Sequence, residues 1–201
     1  MEVHFTDEGA WQAPFFELHV ESGPHPESIS KVLAGIEALW QHPSLDGPYG
    51  DSFVDASHQQ KLKAITTEPS QTYGVARLSD GNSVPCGAIA QIPNLADFPV
   101  LSDEIRDWGP DPDSFVFYIP SLDQLYGGDW WEVSDHEIVR PIEQWLTDLA
   151  SFVFERVPFP FAVIGPEGGY DERAVRVGQF SGSVVLRPDA DRRRLEAIRP
   201  T

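Results

Sequence analysis

The side chains of this 201-residue chain most capable of chemistry are its carboxylates. Between residues 94 and 137 eleven acids (Asp97, Asp103, Glu104, Asp107, Asp111, Asp113, Asp123, Asp129, Glu132, Asp135 and Glu137) stand against one base, Arg106, a net −10. Such a concentration could ligate a hard cation, supply an acid–base pair or dock a cationic partner, and each use demands its own spacing. For a metal, Asp135-His136-Glu137 and Asp111-Pro112-Asp113 put hard ligands side by side, but neighbours on an extended chain point to opposite faces, and no HExxH pair is present. The Asp111–Ser114 run also lacks the acidic spacing and closing Glu of a calcium loop. No metal and no cofactor is therefore expected. Paired carboxylates for glycoside chemistry carry no information here, because 32 acids guarantee close pairs in any fold.

The nucleophile patterns fare no better. Cys86, in SVPCGAI, lies inside a strand pattern without a neighbouring base and reads as a small buried apolar residue. GQFSGS (178–183) lacks the G-x-S-x-G order and precedes a strand, where a nucleophile elbow precedes a helix. Gly165-Pro166-Glu167-Gly168-Gly169 has no Lys-Ser/Thr and reads as a turn, not a phosphate loop. His4, His19, His25, His42 and His58 are scattered singly, as surface or hydrogen-bonded histidines are.

What the acids do fit is docking. Phe98, Trp108, Tyr126, Trp130 and Trp131 are interleaved with them, and Trp130-Trp131 follows Gly127-Gly128-Asp129 in a stretch with neither helical nor strand period. Carboxylates steer the approach of a basic protein while Trp and Tyr supply anchors. The candidate partner-binding set is Asp111, Asp113, Tyr126, Asp129, Trp130, Trp131, Glu132, Asp135 and Glu137. The competing reading is a solvating face whose tryptophans fold back onto the core.

Elements must position these groups. Phe16, Leu18 and Val20 alternate with Glu17, His19 and Glu21, the period of a half-buried strand over 14–21. Ile29, Val32, Leu33, Ile36, Leu39 and Trp40 form one helical stripe, predicting a helix over 26–41 with Pro26 in its first turn. Ile142, Trp145, Leu146, Leu149, Phe152 and Val153 repeat that spacing in a second helix starting at Pro141. Strands are expected at 72–80 and 83–92, joined by the turn Asp80-Gly81-Asn82, and at 114–120, 159–165 and 174–188. Residues 43–70 and 121–140 read as long irregular connections, and the basic tail Arg192-Arg193-Arg194 as a mobile end. The class is α+β: a mainly antiparallel sheet with both amphipathic helices packed on one face, in an order that admits a β-α-β-β duplication. One compact domain over 1–201 is expected, with pseudo-halves 1–95 and 96–201.

Composition narrows the function classes. A net charge of −18 opposes direct binding to nucleic acid or anionic membranes, while 41% hydrophobic residues exclude a disordered chain. One cysteine excludes an intramolecular disulfide and fits a reducing compartment. The opening MEVHFTDEGAW has three acids, no base and no apolar run, and nowhere do about 18 apolar residues run uncharged. A cytoplasmic address is expected.

The segment FELHVESGPHPESISKVLAGIEALWQHPSLDGPY, a strand leading through Pro-Glu-Ser into an amphipathic helix ending in Leu-Trp, resembles the start of bacterial polymorphic-toxin immunity proteins of the Imm52-like kind. YGVARLSDGNSVPCGAIAQIP resembles their paired strands, with Gly81, Cys86-Gly87 and Pro93 in corresponding positions. The resemblance covers the first half of the chain. It implies a non-enzyme that binds and neutralises a cognate toxin. With the acidity, the expectation is an inhibitor of a basic, nuclease-type toxin that occludes its active site. The alternatives are a small-molecule enzyme or ligand-binding domain with His136 or Cys86 in a pocket, a DNA mimic, and a subunit burying Trp130 and Trp131 in a symmetric contact.

Overall fold

The computed structural model describes residues 15–23, 27–49, 72–91, 113–120, 136–167 and 184–199. In chain order the elements are β1 (Phe15–Gly23), α1 (Ile29–Leu39), β2 (Leu45–Tyr49), β3 (Thr72–Arg77), β4 (Ser83–Gln91), β5 (Asp113–Pro120), α2 (His136–Phe154), β6 (Phe161–Pro166), β7 (Val184–Pro188) and β8 (Leu195–Ile198). The strands form one sheet in the order β2-β3-β4-β5-β1-β6-β7-β8, every neighbouring pair antiparallel. The fold is α+β, and no described helix is long and apolar enough to cross a membrane.

The position of β1 explains the placement of the helices. With all neighbours antiparallel, β1 and β2 run the same way, as do β5 and β6, so α1 and α2 are both crossover connections. The two crossovers start from strands of opposite direction and step in opposite senses across the sheet. The usual right-handed sense therefore puts both helices on the same face. One core joins them there: Phe16, Leu18 and Val20 of β1, Phe115, Phe117 and Ile119 of β5, and Ala162 and Ile164 of β6 meet Val32, Ile36 and Leu39 of α1 and Leu146, Leu149 and Val153 of α2. Gly35, inside α1, allows that approach, since a β-carbon there would stand 2.6 Å from the Phe115 ring.

Several boundaries differ from those expected. Helix α1 begins at Ile29, after Ser28, and Pro26 lies outside the described residues. Helix α2 starts at His136, so Pro141 sits within it and not at its head. The ring removes one hydrogen bond to the carbonyl four residues back, but so close to the helix start that only one short turn is weakened. Residues 45–49, expected to be irregular, form the edge strand β2; Gly47-Pro48 reads as a breaker, yet an edge strand tolerates proline and a register shift between Asp46 and Tyr49. The tail is ordered as well. Asp189 Oδ1 accepts the Arg193 amide at 2.8 Å, β8 pairs with β7, and Arg199 reaches Glu143 of α2 at 3.0 Å.

The element order β-α-β-β-β does occur twice, from β1 and from β5. The sheet positions do not repeat: α1 crosses to the far edge, whereas α2 steps over β1 alone.

Candidate functional site

Alternation along β1 sends Glu17, His19 and Glu21 to the face opposite the helices. The expectation of a half-buried strand places these groups in water; the structure instead buries His19 (5% exposed) and Glu21 (7%) and half-buries Glu17. The reason is β1's central place. In register beside Glu17 are Tyr118 and Gly165, beside His19 are Val116 and Val163, and beside Glu21 are Ser114 and Phe161. Val163, Phe161 and Val185 form a second apolar cluster on this face. Tyr118, 4% exposed, packs its ring 5.0 Å from that of Phe15, and its hydroxyl lies over Gly87, where no side chain would fit.

Burial separates the titration of the row. Desolvation, with the charge of Glu167 adding to it, pushes the Glu17 carboxyl up to about 7. Desolvation lowers the His19 imidazole to about 4. At neutral pH His19 is uncharged, while Glu17 stands close to the midpoint between its two forms. A signal for the row was present in the sequence, two acids and a histidine at every second position, but the same alternation describes any solvent-facing strand edge.

A second polar chain ties the helices together. Trp145 Nε1 donates to Ser44 Oγ at 3.0 Å, and Ser44 Oγ stands 2.7 Å from His42 Nδ1. The His42 ring also packs edge-on to Phe152 at 4.8 Å. His42 is thus no isolated histidine, and its ring and Ser44 pin the end of α1 against α2.

Of the expected docking residues, Asp113 is corrected. Its side chain is fully buried at the start of β5, with Oδ2 2.8 Å from Ser28 Oγ, which is also 2.8 Å from the Gly23 carbonyl. It braces the β1–α1 connection against β5 and offers no surface to a partner. Ser28, in an N-cap position by sequence, makes no side-chain cap bond for the same reason. We expect Ser28→Ala to lower stability by about 1–3 kcal/mol, the effect of removing one hydrogen-bonding hydroxyl from a buried site, measurable as a fall in the urea midpoint. Glu137 stands in the first turn of α2, its side chain outside the described residues, as are Asp111, Tyr126, Asp129, Trp130, Trp131, Glu132 and Asp135. Cys86 is wholly buried, and desolvation pushes its thiol well above the ordinary range, so it is not poised as a nucleophile. Among the described residues no three His, Cys, Asp or Glu side chains group as a metal-binding set.

Fold and site together define an α+β protein with a single eight-stranded antiparallel sheet, two helices on one face and a buried carboxyl–imidazole row on the other. No family model matches the chain, and neither does any curated protein or solved structure.

Proposed function

We propose that the chain is a non-enzymatic acidic binding protein of the cytoplasm, an immunity protein that neutralises a cognate basic, nuclease-type toxin by occluding its substrate cleft. The observation that carries this reading is the placement of charge. Apart from the buried Asp113, the acids of residues 94–137 lie in sequence on either side of β5, a net −9 (ten acids against Arg106), and β5 is buried along its whole length next to the central strand β1. The acids thus flank, in the chain, a strand fixed in the middle of the sheet. Such carboxylates compete with a phosphate backbone for the same Lys and Arg side chains.

The test is binding of whichever basic protein the parent chain captures from its host at low salt, to the parent chain and to a variant carrying Asp129→Asn, Glu132→Gln, Asp135→Asn and Glu137→Gln, over a salt series. Loss of about 2–5 kcal/mol of affinity is expected at low salt, with a flatter salt dependence in the variant. Equal binding by the two proteins at every salt concentration overturns the reading. Glu17 favours a second reading, a small-molecule enzyme or ligand-binding domain in which this carboxyl exchanges a proton with its ligand. Under it, Glu17→Gln abolishes turnover or ligand binding, and the four-carboxylate variant leaves them unchanged.

A further inference from the structure

A cleft of about 500 Å³ opens among the described residues where α1 begins, α2 ends and β7 turns into β8. Its wall runs against the charge of the chain. Although the protein carries a net −18, three cations from two parts of the chain line this space: Lys31 in the first turn of α1, and Arg187 and Arg192 of the β7–β8 hairpin, one near the end of β7 and the other in the turn. The acid in the lining, Asp189, is engaged by its own turn, with Oδ1 2.8 Å from the Arg193 amide and Oδ2 3.3 Å from Arg194 Nε.

The backbone of Arg192 adds an independent observation. Its φ is +55°, the left-handed region, the only such non-glycine residue among those described, and its amide is held at 2.9 Å by the Asp189 carbonyl. Glycine or asparagine fits that conformation with less strain. Strain of this kind persists where the surroundings over-determine it, and it gathers at ligand sites. The remaining lining is apolar: Phe154 and Phe159, which meet edge to face at 5.2 Å, with Pro158, Pro160 and Pro188.

We propose that this cleft binds a phosphate monoester carried on a flat apolar body, the chemistry of a nucleoside monophosphate. The Arg192 guanidinium and the Lys31 ammonium match a dianionic phosphate, which arginine grips through paired N–H donors, and Arg187 adds positive charge to the wall. Proline and phenyl surfaces offer no hydrogen bonds and suit the face of a planar ring. The volume is that of a small-molecule site, and the charge of the rest of the chain repels a nucleic-acid polymer.

Calorimetric titration of the full chain with AMP, inorganic phosphate and adenosine tests this. AMP is expected to bind at least about tenfold more tightly than either fragment, because only AMP engages both the cations and the apolar floor. Arg192→Gly removes the cation and relieves the backbone together, so its unfolding midpoint is expected to be unchanged or higher while AMP affinity falls about tenfold or more. Lys31→Gln, on an exposed helix position, is expected to weaken AMP similarly, and Arg77→Gln, exposed on β3 and outside the cleft lining, to leave it near the parent value. AMP binding no tighter than phosphate or adenosine overturns the proposal, as does parental affinity in both Arg192→Gly and Lys31→Gln.

Discussion

Replacing Trp40 by alanine is expected to destabilise the protein by about 3–5 kcal/mol, the range for truncating a buried aromatic. The indole follows α1, is 3% exposed, and lies edge to face with Phe117 at 6.5 Å. Its Nε1–H donates to Thr72 Oγ1 at 3.1 Å, and that hydroxyl donates in turn to the Ala88 carbonyl at 3.1 Å. Trp40 therefore connects the helix layer to β3 and β4 by packing and by a continuous hydrogen-bond chain. The strands leave room for it: Gly74 of β3 lies under the ring, and a β-carbon there would meet both the indole and the Asp46 carbonyl oxygen at 2.6 Å. Gly74→Ala is expected to lose about 1–3 kcal/mol through overpacking. Because the two residues occupy one space, the double variant is expected to lose clearly less than the sum of the single losses. Denaturant midpoints of the four proteins decide it, and strict additivity would show that the two do not share that space.

Between pH 4.5 and 6.5 two linkage effects oppose each other in the parent, the histidine's outweighing the carboxyl's, so stability is expected to rise with pH less steeply than the histidine alone would dictate. Glu17 titrates at about 7 when folded and at 4.5 as a free carboxyl. The folded state holds that proton more tightly, so its contribution is complete below 4.5 and is lost as pH rises to about 7. His19 behaves in the reverse sense, at about 4 when folded against 6.5. Its neutral form is the one the fold accepts, so its contribution is complete above 6.5 and is lost as pH falls to about 4. For His19 the shift corresponds to about 3 kcal/mol; for Glu17, partly exposed and screened by water, about 2 kcal/mol or less. Glu17→Gln is expected to uncover the histidine effect, with stability rising steadily from pH 4 to 6.5. His19→Gln is expected to uncover the carboxyl effect, with stability falling from pH 4.5 to 7. Urea titrations of the three proteins at half-unit pH steps measure this, and a slope in Glu17→Gln identical to the parent's would remove Glu17 from the account.

The legible parts of the chain were those where a local pattern has one solution. The stripe from Ile29 to Trp40 and that from Ile142 to Val153 specify amphipathic helices, and both are present. Asp80-Gly81-Asn82 specifies a tight turn: Gly81 has φ +86°, and Asp80 Oδ1 accepts the Asn82 amide at 2.9 Å. Two helical stripes with alternating strands between them also imply an antiparallel sheet with helices on one side, since no other arrangement buries both stripes economically.

Strand order was not legible. Alternation assigns faces within a strand, but it says nothing about neighbours, and β1 could equally have stood at an edge. Its insertion between β5 and β6 is a tertiary fact. From it follow the burial of His19 and Glu21, the half-burial of Glu17, the displaced titration of Glu17 and His19, and the enclosure of Asp113 against Ser28. The edge strands β2 and β8 were hidden for a related reason, since Gly47-Pro48 and the arginine-rich tail carry weak strand propensity and are held by the strands beside them.

The sequence by itself determined the acidity, its concentration between residues 94 and 137, the two helices and the α+β class, because each depends on composition or on spacing within about 20 residues. Only the tertiary structure decided which polar groups leave water and which cations meet. Lys31 and Arg192 stand 161 positions apart, yet line one cleft, and no local pattern encodes a meeting between residues so distant in the chain.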